Sequence, residues 1–164
     1  MLQIVDVGSE SLNNYRSLAL GERIEEIRKL ARELRGARIL HLNATPYGGG
    51  VSEPLRTTIP LLRDLGLHAD WKIIFGDEKF FGITKSFHNA LQGAKYILDD
   101  EVKETYLSYN TRNAQLLEEQ YDYIIVHDPQ PLALLHFKGR GSSKWIWRCH
   151  IDTSEPNQEV WDFP

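Results

Sequence analysis

Short apolar runs that alternate with longer segments of helical periodicity are the feature that most narrows the folds open to this chain. Each run is short enough for one buried strand and is bounded by polar or turn residues. The runs are ARILHLN at 37–43, ADWKIIF at 69–75, YDYIIVH at 121–127 and KWIWRC at 144–149. Strands separated by helices form mainly parallel sheets that helices flank. We therefore predict an α/β fold of Rossmann-like type.

Segments with apolar residues at helical spacing fill the intervals between these runs. We predict helices near 21–35, 51–66, 78–91, 100–119 and 132–137. The tail is expected to start a helix at Ser154 or Glu155, ahead of Pro156. The chain then divides into an N-terminal extension with a helix that packs on the domain, over residues 1–36, and a Rossmann-like domain over residues 37–164.

Composition and charge exclude several classes of function. The 164 residues are 41% hydrophobic and 26% charged, which is typical of a globular chain with one core. The net charge is −4 and the charges are interspersed, so we expect no nucleic-acid partner. The single cysteine, Cys149, excludes an intrachain disulfide and a zinc site of several cysteines. Since there is no HExxH motif either, we expect no metal.

The N-terminal residues, MLQIVDVGSE, do not resemble a secretory signal, because no basic segment precedes an apolar one. No apolar run approaches the ~18 residues of a membrane span. We expect a cytoplasmic protein with no membrane partner.

Three consecutive glycines, Gly48, Gly49 and Gly50, follow the first apolar run and precede a helix. Glycine lets the backbone adopt positive φ and approach a ligand, and the free N–H groups at a helix N-terminus attract phosphate. Neither GxGxxG nor a P-loop lysine accompanies them, so a plain strand-to-helix turn remains the alternative. We interpret these glycines as a candidate anion site.

The motif HDPQP ends the third apolar run, with His127 and Asp128 ahead of two prolines. A polar pair between an apolar strand and prolines is rigidly placed, which suits catalysis. His127 could hydrogen-bond a sugar hydroxyl or a phosphate, and Asp128 could accept from hydroxyls or orient an imidazole. The alternatives are a strand-end histidine with protein partners and an aspartate that caps a turn.

The motif RCHID at 148–152 follows the last apolar run. Neighbours along a strand point to opposite faces, so Cys149 and His150 would not form a nucleophile pair there. If the strand continues, Arg148, His150 and Asp152 share one face and could bind a phosphate or a polyol. A structural salt bridge is the alternative.

The segment KSFHNALQG at 85–93 places polar side chains three and four residues apart, so they share one face of a helix. These residues are Lys85, His88, Asn89 and Gln92. Polar faces of this kind are common on surface helices, so the pattern alone does not indicate a site.

Four motifs together carry a resemblance to a known family: HLNATPYGGGVSE, KSFHNALQG, VHDPQP and WIWRCHID. In this order and spacing they resemble the N-terminal domain of trehalose synthases of the glycosyltransferring type. Those are retaining enzymes of glycosyltransferase family four with the two-domain GT-B fold, and trehalose phosphorylases are related to them. The resemblance covers about residues 37–163 and implies that this domain is the acceptor-side, N-terminal half of a GT-B fold.

The resemblance implies transfer of glucose from a nucleotide diphosphate glucose to the anomeric hydroxyl of glucose, giving α,α-trehalose. It implies a catalytic His127 beside the donor glucose. The positions that it places at the donor diphosphate and sugar are Gly48, Gly49, Gly50 and Asp128. Those that it places in the acceptor pocket are Lys85, His88, Asn89, Arg148, His150 and Asp152. The family is usually assigned a front-face mechanism that needs no carboxylate nucleophile.

The second GT-B domain, which supplies most nucleotide contacts in that family, is absent from the sequence. We therefore expect a fragment that is inactive alone. The nucleotide sugar would be a substrate, with no tightly bound cofactor, and Mg²⁺ dependence and homodimer formation are left open. The alternatives are a trehalose phosphorylase-like enzyme and a non-catalytic sugar- or protein-binding module.

Overall fold

A computed structural model describes residues 1–18 and 21–163 of the chain. Its strands are β1 (Gln3–Ile4), β2 (Arg38–Asn43), β3 (His68–Ile73), β4 (Tyr123–His127) and β5 (Lys144–Arg148). Its α-helices are α1 (Gly21–Arg32), α2 (Gly49–Asp64), α3 (Glu78–Leu91), α4 (Asp100–Leu116), α5 (Leu134–Lys138) and α6 (Gln158–Trp161). Ala19 and Leu20 of the predicted extension, and Pro164 of the predicted domain, lie outside the described residues. No helix within the described ranges is both long enough and apolar enough to span a bilayer.

The strands form one sheet in the order β1-β3-β2-β4-β5. β2 pairs in parallel with β3 and β4, β4 pairs in parallel with β5, and β1 is an antiparallel edge strand on β3. This confirms the predicted α/β class with a mainly parallel sheet. The chain runs from β2 to β3 on one side and then returns to β4 on the other, so the strand order reverses between β2 and β4. In α/β sheets, a ligand crevice forms at the carboxyl ends of the strands at such a switch point.

Helices cover both faces of the sheet because side chains along each strand alternate in direction. On one face, Leu40 of β2 packs in a core cluster that includes Phe80 of α3 and Tyr106 of α4. On the other face, Trp71 of β3 is buried in a cluster with Ile59 of α2. The connecting helices therefore frame the carboxyl edge of the sheet from both sides.

The N-terminal segment shares its core with the domain that follows it. Leu2 is buried in the largest cluster, and Gln3 of β1 pairs with Ile73 of β3. Ala31 of α1 packs against Ile39 of β2. The described residues before β2 thus extend the sheet and cover one of its faces.

Buried polar side chains on α4 hold the loops that follow β3 and β4. Tyr106 Oη donates to the Pro129 carbonyl oxygen at 2.7 Å, and Asn110 donates to the same loop at 3.2 Å. Asn113 pairs with the N–H and the C=O of Phe75 at 2.6 and 2.8 Å. Because buried polar groups need partners, these bonds fix the loops that border the carboxyl edge of the sheet.

The C-terminal helix begins later than the sequence predicts. The N-cap of α6 is Asn157, whose Oδ1 accepts from the Val160 N–H at 3.2 Å. The prediction of Ser154 or Glu155 is wrong, because the Asn157 N–H also donates to the Ala90 carbonyl oxygen at 2.9 Å. This contact with α3 sets where the last helix starts.

A fully buried lysine in β3 gives the fold an ion pair that depends on pH. Lys72 is 0% exposed, and its Nζ lies 2.6 Å from Glu119 Oε1. This contact lowers the pKa of the Glu119 carboxyl. A lowered folded-state pKa means that the pair stabilises the fold fully above the unfolded-state pKa, and that this contribution is lost as the pH falls through the folded-state pKa.

Replacing Glu119 by glutamine is expected to lower the free energy of unfolding by roughly 1–3 kcal/mol at pH 7, since the buried ammonium loses its negative partner. The difference from wild type should begin to shrink as the pH falls below the ordinary glutamate pKa of 4.5, and should vanish below the lowered folded-state pKa, where the wild-type carboxyl is also protonated. Urea unfolding of both proteins between neutral and acid pH measures this. The double variant Lys72→Met/Glu119→Gln is the control and should recover most of the loss; a pH-independent difference for the single variant would contradict the assignment.

Candidate functional site

A cavity of about 310 Å³ lies at the carboxyl edge of the sheet, at the switch point between β2 and β4. Its walls are the turn after β2, the first turn of α2, α3 and the loop after β4. The lining residues are Asn43, Ala44, Thr45, Gly48, Gly49, Gly50, Val51, Ser52, Lys85, His88, His127, Asp128 and Gln130. The structure therefore brings together the glycines, the HDPQP motif and two of the predicted α3 residues.

The glycine turn, residues 48–50, places an open helix N-terminus at this cavity. Gly48 is the N-cap of α2 at φ 67°, and Gly49 has φ 76°, so both need the left-handed conformation that glycine adopts without strain. Gly50 is helical, and a Cβ added there would meet no protein atom within 4 Å. Gly48 has no side chain to cap α2, and its first turn has no acidic residue. The first N–H groups of α2 and the positive end of its dipole thus face the cavity.

Polar side chains next to the turn hold it in place. Asn43, the last residue of β2, donates to the Thr45 carbonyl oxygen at 2.8 Å and accepts from Trp71 Nε1 at 2.7 Å. Ser52 Oγ donates to the same carbonyl at 2.6 Å. Arg56 donates to the next carbonyl of the turn at 2.8 Å. The turn is therefore preorganised by the strand and the helix that it connects.

α3 contributes Lys85 and His88 to the cavity. The helix begins after its N-cap Asp77, and its apolar face, which includes Phe80, packs into the core. Asn89 is exposed and does not line the cavity, so its acceptor role stays a prediction. Asn89 lies one turn after Lys85 on the same side of α3, but beyond the part of the helix that lines the cavity.

His127 lies at the end of β4 between two other histidines. Its Nε2 lies 2.9 Å from Nδ1 of His41 in β2, and its Nδ1 lies 2.9 Å from Nε2 of His150, which follows β5. The rings stack with centroid separations of 5.2 and 5.1 Å. Both ring nitrogens of His127 are therefore paired within the protein, so a substrate reaches one only by displacing a histidine.

Burial keeps the two inner imidazoles neutral. It lowers the pKa of His41 to about 4, with a further lowering by the positive charge of Arg148. Burial is also the main reason that the pKa of His127 falls to about 3, followed by the neighbouring His41, His150 and Arg148. At pH 7 each of these two rings therefore carries one N–H and one bare nitrogen.

Asp128 joins the end of β4 to the end of β5. It has φ 61°, the sole positive φ among the non-glycine residues that the structure describes. Its N–H donates to the Arg148 carbonyl oxygen at 3.0 Å, and its Oδ1 accepts from the His150 N–H at 2.8 Å. Its own carbonyl oxygen accepts from Trp147 Nε1 at 3.1 Å. Besides lining the cavity, Asp128 thus positions His150 against His127.

The strand that precedes His150 ends at Arg148. The sequence places Arg148, His150 and Asp152 on one face only if the strand continues through Asp152, so that shared face does not form. The His150 N–H leaves the sheet to bind Asp128, and its ring then contacts His127. Asp152 is exposed and accepts from the Ser154 N–H and hydroxyl at 2.9 and 2.6 Å. The cavity lining given above includes neither Arg148, His150 nor Asp152.

His41, Asn43 and Ser52 support the site, although the sequence patterns did not single them out. The apolar residues of the run 37–43 predict a buried strand. The signal for the supporting residues is that His41 and Asn43 alternate along this run. Alternate residues of a strand share a face, and buried polar side chains need partners. Two polar residues on one face of a buried strand thus indicate a hydrogen-bond network.

The cavity chemistry suits anions and hydroxyl groups. Lys85 and the N-terminus of α2 attract negative charge, while neutral imidazoles exchange hydrogen bonds with hydroxyls. Asp128 is the sole acidic residue among the lining residues given above. Across residues 1–18 and 21–163, no group of three or more His, Cys, Asp or Glu side chains is arranged to hold a metal ion.

Known proteins show clear similarity to this chain. A family model described as "Trehalose synthase, N-terminal domain" matches residues 41–164. A trehalose synthase from Rubrobacter xylanophilus is 52% identical over 168 residues, which cover 99% of this chain and 40% of that protein. Trehalose synthases from Pyrococcus horikoshii and Thermococcus litoralis are 45% and 44% identical, over 95% and 99% of this chain and 38% and 40% of their own lengths. The chain thus spans about 40% of the length of these curated relatives.

A solved structure, that of the α,α-trehalose 6-phosphate synthase from Burkholderia multivorans, is 14% identical with a TM-score of 0.44. The match covers 70% of this chain and 33% of that one, a likeness too low to support an inference. The family model, which covers most of the chain, confirms the resemblance stated from the four motifs. The chain belongs to the family of trehalose synthase N-terminal domains.

Proposed function

We propose that this chain is the acceptor-side half of a retaining glycosyltransferase that moves glucose from a nucleotide diphosphate glucose to the anomeric hydroxyl of glucose. The products are α,α-trehalose and a nucleoside diphosphate. The observation that carries the proposal is the open N-terminus of α2 in the switch-point cavity, where Lys85 also lies. Family membership supports trehalose as the product.

The glycine turn would bind the donor diphosphate. Free N–H groups and a positive dipole end favour a phosphate at this position, and the bonds of Asn43, Ser52 and Arg56 hold the turn ready for it. The departing diphosphate gains negative charge in the transition state, so fixed donors there stabilise the transition state more than the ground state.

The sugar side of the cavity would use hydrogen-bonding side chains. Lys85 and His88 line the cavity and keep the acceptor-pocket role that the resemblance implies. Asn89, Arg148 and Asp152 lie outside the cavity lining, and for them that role stays a prediction. His127 would contact the donor glucose through Nδ1, where the sugar takes the place of His150.

A front-face route fits these groups. The bond from the anomeric carbon to the diphosphate oxygen breaks while the acceptor oxygen bonds to the same face of that carbon, and the acceptor proton passes to the diphosphate. Asp128, the acidic residue of the cavity lining, already accepts from the His150 N–H, which favours a route without a carboxylate nucleophile.

A second domain of GT-B type would supply most nucleotide contacts. The chain spans about 40% of its relatives' length, so we expect no turnover from it alone. A chimera tests this: the present chain followed by the part of the R. xylanophilus trehalose synthase that it does not match. With glucose and UDP- or ADP-glucose, the chimera should release nucleotide in a glucose-dependent manner, while the chain alone and the R. xylanophilus part alone should not.

The same assay separates the alternatives. Formation of glucose phosphate from trehalose and inorganic phosphate, with no use of nucleotide sugars, would instead indicate a phosphorylase. Binding of glucose without turnover by the chimera, beside an active intact R. xylanophilus relative, would indicate a non-catalytic module.

A further inference from the structure

His41 is a buried histidine to which neither the motifs nor the resemblance assign a role. It lies inside β2, 4% exposed, and its Nδ1 faces His127 Nε2 at 2.9 Å. Its other nitrogen, Nε2, is buried and has no hydrogen-bond partner within the described part of the chain. Buried side-chain nitrogens without a partner are uncommon in folded proteins, so this one needs an explanation.

The contacts allow two arrangements of the ring hydrogens. His127 carries one N–H, so it either donates from Nδ1 to His150 and accepts from His41, or donates from Nε2 to His41 and accepts from His150. In the second arrangement the hydrogen of His41 must sit on Nε2, where a buried N–H would have no acceptor. In the first arrangement, His41 Nε2 holds a bare lone pair instead. A buried N–H without an acceptor is rarer and costlier than a buried lone pair without a donor, so the first arrangement is favoured.

We propose that His41 is a positioning residue that holds His127 in the tautomer with its hydrogen on Nδ1. His41 Nδ1–H donates to His127 Nε2, and His127 Nδ1–H donates to His150 Nε2, so the hydrogen bonds run outward from the buried strand. This row of hydrogen bonds begins at the buried His41 and ends at the half-buried His150.

This direction decides what His127 can recognise, a consequence that rests on the proposed function. His127 presents only an N–H at Nδ1, and His150 Nε2 accepts it in the free protein. A group that displaces His150 must therefore be an acceptor, such as a sugar hydroxyl oxygen or a phosphate oxygen. A group that can only donate, such as an ammonium, is rejected there.

The test uses the 164-residue chain and needs no activity. With ¹⁵N-labelled histidine, long-range ¹H–¹⁵N NMR correlations distinguish protonated from bare ring nitrogens. In the wild type we expect the His127 tautomer with its hydrogen on Nδ1 to outnumber the one with its hydrogen on Nε2 by about tenfold or more. The second tautomer leaves a buried donor without an acceptor, and the cost of such a donor implies a ratio of this size. A hydrogen mainly on His127 Nε2, or an even mixture, would overturn the proposal.

Two variants test whether His41 sets this preference. His41→Asp places a carboxylate, which only accepts, near the Nδ1 position and should protonate His127 Nε2, whereas His41→Phe leaves the same orphaned position at His127 Nε2 and should keep that nitrogen bare. A folded His41→Asp with His127 Nε2 still bare would contradict the role of His41. If His41→Asp does not fold, the wild-type and His41→Phe spectra decide.

The chimera links the tautomer to turnover. His41→Asp should lower its kcat by about tenfold or more, and by more than His41→Phe does. Loss of the tautomer preference without loss of turnover would contradict the catalytic consequence. A chimera that forms no trehalose, with the wild-type preference intact in the chain, would instead contradict the proposed function and leave the positioning role standing.

Discussion

Replacement of Gly50 by alanine is expected to lower the turnover of the chimera about 100-fold while leaving the chain at least as stable as before. Gly50 is helical, and its added Cβ meets no protein atom within 4 Å. The protein itself therefore accepts alanine there, and alanine is the better helix former by about 1 kcal/mol. A methyl group on the cavity wall would displace the diphosphate by about 1 Å, which is enough for a loss of this size.

Two other glycines provide the controls. Gly82 lies on α3 in open space and outside the cavity lining, so Gly82→Ala should leave turnover unchanged. Gly49 has φ 76°, so Gly49→Ala should lower the free energy of unfolding by about 1–2 kcal/mol. It should also lower turnover. Steady-state kinetics and urea unfolding measure both quantities. Wild-type turnover by Gly50→Ala would show that no ligand approaches the turn closely.

Replacement of Asp128 by alanine is expected to lower the free energy of unfolding by about 2–4 kcal/mol and to reduce turnover of the chimera as well. Alanine at φ 61° is strained by about 1–2 kcal/mol. Loss of the 2.8 Å bond from the His150 N–H adds about 1–2 kcal/mol. Without this bond His150 no longer holds its place against His127, so the imidazole geometry is disturbed too.

Two substitutions at the same position separate these causes. Asparagine tolerates the left-handed conformation, and its side-chain oxygen can accept from the His150 N–H, so Asp128→Asn should remain within about 1 kcal/mol of wild type. Asp128→Gly relieves the strain but removes the acceptor, so its stability should be intermediate. Equal stability of the alanine and asparagine variants would contradict this account of Asp128.

The elements that the sequence predicts well are those with a local cause. The strand within YDYIIVH is a short apolar run between an acidic segment and two prolines, and it forms β4. The helix at 78–91 has both its apolar spacing and an N-cap, Asp77, in its own sequence. The position of the glycine turn at the carboxyl edge follows from the order of strand, glycines and helix.

The features that the sequence did not predict depend on partners far along the chain. β5 stops at Arg148 because the next N–H that could pair with β4, that of His150, donates instead to the side chain of Asp128, which lies in another loop. The use of His41 depends on the pairing of β2 with β4, which brings it to His127. No pattern within a single segment contains this information.

We propose that this chain provides one wall of a site that joins two glucose units through their anomeric carbons. The most direct test supplies the chimera with unlabelled nucleotide diphosphate glucose and with glucose labelled with ¹³C at its anomeric carbon. We predict α,α-trehalose that carries the label in the glycosidic linkage, formed in step with the release of nucleotide. Nucleotide release without a disaccharide, or a disaccharide whose labelled anomeric carbon remains free, would contradict the claim.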